Sequence, residues 1–158
     1  MILMLRYRYI VSAILLMFSL TSACDHSETS DDLYAGYEHL RKATEPGNWI
    51  PSFIPRSATE IKGRHKIDTG AQVLTFYFEG NTSTFLEDHC KQTTTSEVEF
   101  PESGFLDVSW WPKELVRTSV PSQELKGYKF FQCERQAFLA VTERNNRHQA
   151  FYWRISLT

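Results

Sequence analysis

The stretch from Ala71 to Glu79 alternates Leu74, Phe76 and Phe78 with Val73, Thr75, Tyr77 and Glu79. A two-residue period of this kind predicts a strand, because successive side chains point to opposite faces. Ala58 to Asp68 predicts a strand before it, joined through a Thr69-Gly70 turn. Three more strands are expected in the last third: Leu125–Arg135, Gln136–Glu143 and His148–Leu157. The last sets Phe151, Trp153 and Ile155 against Ala150, Tyr152 and Arg154, and Asn145-Asn146 supplies the turn before it. Their short connections imply an antiparallel meander.

Helical spacing is sparser. Leu33, Tyr37 and Leu40 form one apolar stripe over Asp32–Ala43, with Asp31 as a cap and Pro46-Gly47 as the stop. Thr84–Gln92 predicts a helix with Leu86 and Cys90 on one face, opened by a capping box of Thr84 and Glu87. Asn81-Thr82-Ser83 also matches a glycosylation sequon, but reads better as part of that cap. Trp110–Thr118 predicts a short helix with Pro112 in its first turn. Trp49–Pro55 reads as an extended segment packed on the domain. Thr93–Gly104 reads as irregular, with a short strand at Glu97–Phe100. The expected class is α+β, an antiparallel sheet of about four to six strands with one or two packed helices, in one domain over residues 33–158. One sheet face is expected to carry Leu74, Phe76, Phe78, Phe131, Cys133, Phe151, Trp153 and Ile155 under the Leu86 helix. The other is expected to show Tyr77, Tyr128, Phe130 and Tyr152.

Residues 1–23 differ from the rest. Arg6 and Arg8 precede an apolar run from Ile10 to Leu20, and Thr21-Ser22-Ala23 leads to Cys24. A basic end, a short apolar core and small residues at a cleavage site describe an export signal. A spanning helix would need roughly 20 apolar residues. Leu20-Thr21-Ser22-Ala23-Cys24 resembles a bacterial lipobox, which implies cleavage before Cys24 and lipidation of its thiol. A cleaved signal peptide over 1–23 and a polar, acidic tether over 24–32 follow. The expected location is the cell envelope, on the periplasmic side of the inner (or outer) membrane; Asp25 fits the enteric pattern for inner-membrane retention. Removing Arg6 and Arg8 leaves a domain more acidic than the −2 of the whole chain. That suits neither nucleic acid, which demands a basic footprint, nor electrostatic docking on anionic lipid.

With Cys24 lipidated, Cys90 and Cys133 remain in an oxidising compartment and are expected to pair, stapling helix to sheet. His89 adjoins Cys90, but neighbours on a helix diverge and form no nucleophile–base couple. The histidines His26, His39, His65, His89 and His148 lack zinc spacing, so no metal or cofactor is expected. No nucleophile elbow or phosphate-binding loop is present. Catalytic residues are not assigned.

Ile54-Pro55-Arg56-Ser57-Ala58-Thr59-Glu60-Ile61 with Asp68-Thr69, and Trp110-Trp111-Pro112 ahead of an aromatic strand containing Cys133, resemble patterns in small uncharacterised bacterial exported lipoproteins. The resemblance spans roughly Ile54 to Trp153 and implies no named activity. The outlying property is aromatic supply: 11 Phe, 7 Tyr and 4 Trp. Packing consumes most aromatics; a surplus at Trp110, Trp111, Tyr128 and Tyr152 would form a patch for a protein partner. The expected role is therefore a membrane-anchored binding module. The alternatives are an immunity protein that neutralises a toxin, and an enzyme whose site only the fold assembles. For the anchor, Cys24→Ala is expected to release the domain from membranes or stall it as precursor. Full membrane retention at unchanged mature size, measured by fractionation and immunoblot, would refute lipidation.

Overall fold

A computed structural model describes residues 29–43, 49–81, 86, 88–117, 125–144 and 146–156. The expected signal and Cys24 lie outside the described residues. Seven strands form one sheet: β1 (Thr29–Gly36), β2 (Thr59–Lys66), β3 (Gln72–Phe78), β4 (Lys91–Thr93), β5 (Lys129–Glu134), β6 (Ala137–Arg144) and β7 (Arg147–Arg154). Helix α1 (Tyr37–Ala43) follows β1. The sheet order is β1-β2-β3-β7-β6-β5-β4, and every pairing is antiparallel. β2–β3 is a hairpin closed at Gly70, whose φ of 67° suits glycine. β5–β6–β7 is the expected meander.

The sheet is richer than four to six strands, and two additions explain the difference. β1 occupies residues expected to be tether and helix: Thr29–Asp32 are paired to β2, and only Tyr37–Ala43 are helical. Tyr34 is the single buried position of this strand, so its hydrophobic pattern is too thin to read. Arg64 of β2 donates to both carboxylate oxygens of Asp31 at 2.5 and 2.7 Å, across the directly opposed register. Those bonds hold the Asp31 carboxyl below the usual aspartate range. The second addition is β4, on residues expected to end a helix. Leu86 is helical, His89 is in a turn, and Lys91–Thr93 pair with β5. The cap expected at 82–84 lies outside the described residues. Glu97 lies in a 3-10 turn (Thr95–Glu97) and not in a strand, and the described part of the helix expected at Trp110–Thr118 holds one 3-10 turn (Lys113–Leu115).

Register decides the faces. Leu74 is opposite Tyr152, and Val73 is opposite Trp153. Opposed residues in an antiparallel pair share a face. Tyr152 therefore joins Leu74, Phe76, Phe131, Leu139 and Val141 on the first face, where Phe53, Ile54, Leu40 and Leu86 cover it. Phe151 and Trp153 lie on the second face with Val73, Phe130, Phe138 and Ala140, under Leu106, Trp111, Leu115 and Leu125; Ile155 packs against that cluster. The expected phase of β7 is thus reversed. Both of its faces are apolar, so alternation alone does not say which meets which core. On the first side, Gly63 leaves room for the Trp49 indole, which a Cβ there would overlap. Trp49 stacks on His65 at 4.6 Å between ring centroids.

Cys90 and Cys133 form a disulfide across a sequence separation of 43. Cys90 immediately precedes β4 and Cys133 is in β5, so the bridge joins an edge strand to its neighbour and not a helix to the sheet. Mass spectrometry after alkylation without reductant is expected to find neither thiol free. Replacing both by alanine is expected to lower stability in urea by up to about 4 kcal/mol, the chain-entropy value for a loop of this length. Two alkylated cysteines in exported protein would refute the pairing.

Candidate functional site

Among the described residues, the cover on the second face is incomplete. Trp111 packs on Phe151 and Trp153, with ring centroids at 5.7 and 6.1 Å, and its Nε1 donates to the Leu115 carbonyl. Toward β2 the cover stops, and a cleft of about 300 Å³ opens against Trp110 and Pro112. Its sheet side is set by register. Lys62 of β2 is opposite Thr75 of β3, Thr75 is opposite Phe151 of β7, and Tyr77 is opposite Gln149. All five side chains therefore share the second face and line the cleft.

Beneath it lies a polar pair set among apolar central strands. Thr75 and Gln149 are both buried. Thr75 Oγ1 donates to the Ala150 carbonyl at 2.9 Å and accepts from Gln149 Nε2 at 3.3 Å. Gln149 Oε1 is buried and has no hydrogen-bond partner among the described residues. Such an orphaned acceptor costs about 1–3 kcal/mol, and most buried polar groups avoid it.

The rim is built by an irregularity in β2. Its pairing with β3 shifts register between Thr59 and Lys62, and Glu60 adopts φ 52°. Left-handed backbone at a non-glycine residue costs on the order of 1 kcal/mol, and bulges of this kind re-aim side chains. Here the bulge sets Glu60 beside Arg147. Arg147 Nη1 donates to Glu60 Oε1 at 3.2 Å and Nη2 donates to Thr59 Oγ1 at 2.7 Å, while the guanidinium sits 4.6 Å from the Tyr77 ring centroid. Lys62 makes no hydrogen bond or ion pair through its side chain among the described residues.

The expected aromatic patch is divided by the fold. Trp110 and Trp111 both line the cleft, but only Trp110 is partly exposed; Trp111 is 5 % exposed and belongs to the core. Tyr128 is half-buried and donates its hydroxyl to Glu114 at 2.8 Å. Tyr152 is fully buried on the opposite face, accepts from Gln72 Nε2, and has its hydroxyl pKa raised by burial. It forms no surface with the other three. Sequence reading missed Glu60, Lys62, Thr75 and Gln149. The available signal was a polar residue at a core-phase position of an apolar strand, Thr75 in β3 and Gln149 in β7. It carried no weight while the facing of β7 was open.

Residues 28–77 of the chain match the family model described as the YbbD head domain. The match takes in β1, α1, β2 and nearly all of β3, and so Glu60, Lys62, Thr75 and Tyr77, but neither Trp110 nor Gln149. Of the resemblance expected over Ile54–Trp153, it covers the part up to Tyr77. No curated protein and no solved structure matches the chain.

The two tryptophans separate packing from surface. Trp111→Ala is expected to lower unfolding stability by about 3–5 kcal/mol, as large-to-small aromatic changes in a core do. Trp110→Ala is expected to cost less, because part of its ring stays exposed. Urea denaturation checks both; equal losses would place Trp110 in the core.

Proposed function

We propose that this chain is an exported lipoprotein, anchored through Cys24, whose domain works by binding a protein partner in the cell envelope, with the Trp110 cleft as the contact site. The observation that carries the reading is the buried, unpartnered Gln149 amide oxygen in a cleft bordered by Trp110 and Tyr77. An acceptor held without a partner is completed by a ligand's donor, and a Trp and a Tyr beside it are the residue types that most often carry interface energy. The lining supports binding over catalysis. Among the described residues it holds no histidine or cysteine, and its one carboxylate, Glu60, is engaged by Arg147.

The proposed anchor constrains reach. Five residue steps separate Cys24 from Thr29, at most about 18 Å of chain. A domain tethered that closely works at the membrane surface on partners that share or approach it.

Crosslinking in intact cells, followed by capture from native membranes, tests the reading. Trp110→Ala and Tyr77→Ala are expected to lose a defined crosslinked protein several-fold while the domain remains folded and membrane-bound. Undiminished capture by folded variants would remove the cleft from the interaction. Turnover of a substrate by the purified protein would overturn the binding reading itself.

A further inference from the structure

We infer that the Trp110 cleft recognises the free C-terminal end of a peptide, with its carboxylate on Lys62, a backbone N–H donated to Gln149 Oε1, and its last side chain against Trp110 and Tyr77. The inference rests on the reading of this cleft as the binding site and names what it binds.

The charge of the ligand follows from which cleft charge is left over. Glu60 is neutralised by Arg147 at 3.2 Å. Arg147 is itself occupied, by Glu60, by Thr59 Oγ1 and by the face of Tyr77. A ligand cation would find its carboxylate taken. Lys62 is the one charged group lining the cleft without a partner among the described residues. An ammonium in a partly enclosed site favours an anion, and a compact one suits a single carboxylate.

The second requirement is a donor. Thr75 Oγ1 gives its proton to the Ala150 carbonyl, so toward Gln149 it accepts, which turns Gln149 Nε2 to Thr75 and leaves Oε1 as the unmatched end. An acceptor here demands an N–H or O–H from the ligand. The ligand thus carries an anion and a donor a short distance apart.

Spacing and size select among such molecules. Lys62 is on β2 opposite Thr75 and Gln149 on β7 opposite Tyr77, with β3 between them, so two strand spacings and a two-residue stagger set their backbones about 12 Å apart. The long Lys62 side chain shortens that gap. The last two residues of a peptide, about 7 Å long, place a carboxylate and a backbone N–H at its ends. A cavity of about 300 Å³ is at the small end of ligand sites and seats one or two residues. Terminal-carboxylate capture is an established mode of peptide recognition. A sugar acid also joins a carboxylate to donors, and it is the rival the experiment must separate.

The full chain, with its disulfide intact, is dialysed to equilibrium against a pool of random N-acetyl tripeptides, prepared once as free acids and once as C-terminal amides, and separately against glucuronic acid. The free acids are expected to bind about ten-fold tighter than the amides. Lys62→Met, at unchanged melting temperature, is expected to bring the acids down to the amide level. Gln149→Leu is expected to weaken acids and amides alike. Equal binding of acids and amides, binding of neither, or binding of glucuronic acid in place of the acids would each overturn the inference. If the tripeptides fail while Trp110→Ala still abolishes capture of the membrane partner, the choice of ligand falls and the cleft reading stands. If Trp110→Ala leaves capture intact, the cleft reading itself falls.

Discussion

The pairing of β3 with β7 organises this molecule. It runs in unbroken register from Gln72 opposite Arg154 to Phe78 opposite His148, and it joins the β1–β2–β3 half of the sheet to the β4–β7 half. Both strands are covered on two sides, so each must be apolar at nearly every position. Val73, Leu74, Phe76, Phe78, Phe151, Tyr152 and Trp153 meet that demand. A slip of one residue would turn every side chain of one strand into the wrong core. Either Leu74 would face the Trp111 layer, or Trp153 would press into the space now filled by Tyr152.

The two cores are closed differently, and the site comes from that difference. On the first face, Leu40, Phe53, Ile54 and Leu86 reach over the sheet as a group. On the second face, the covering residues come from irregular chain with short 3-10 turns. Trp111 fills the centre of that cover, while its neighbour Trp110 marks its margin. Where the cover ends, the central strands switch from apolar to polar side chains at Thr75 and Gln149. A polar pair at the margin of a dry core is tolerated because part of its hydrogen bonding is internal. The amide oxygen of Gln149 is left buried without a partner among the described residues.

The sheet edges are protected by chemistry suited to each. β1 is long and exposes Leu33, but it carries Asp31 and Asp32, charges that discourage pairing with another strand. β4 is only three residues long and is fixed to β5 by the Cys90–Cys133 bridge. The bulge that strains Glu60 lies on β2, inside the sheet, where flanking strands hold it in place. Its strain is therefore carried by the same pairing that sets Lys62 over Thr75.

Much of this is legible in the sequence. The strands β2, β3, β5, β6 and β7 follow from two-residue alternation and from Thr69-Gly70 and Asn145-Asn146 as turns, and the Cys90–Cys133 pairing follows from cysteine arithmetic. These signals are local: each depends on residues within one strand, one turn, or a parity of thiols. β1 and β4 were not legible, because an edge strand buries few side chains and so leaves little hydrophobic trace. The facing of Phe151 and Tyr152 was undetermined for the opposite reason, since a strand buried on both sides is apolar in both phases. The cleft depended on both unknowns at once. Lys62 and Thr75 are on the two arms of one hairpin while Gln149 is 74 positions beyond Thr75, and only the register of β2, β3 and β7 brings them under Trp110. The sequence by itself determined which segments extend, where they turn and which thiols pair. Tertiary structure alone decided which side chains share a face, because a facing is a relation between strands and no single strand encodes it.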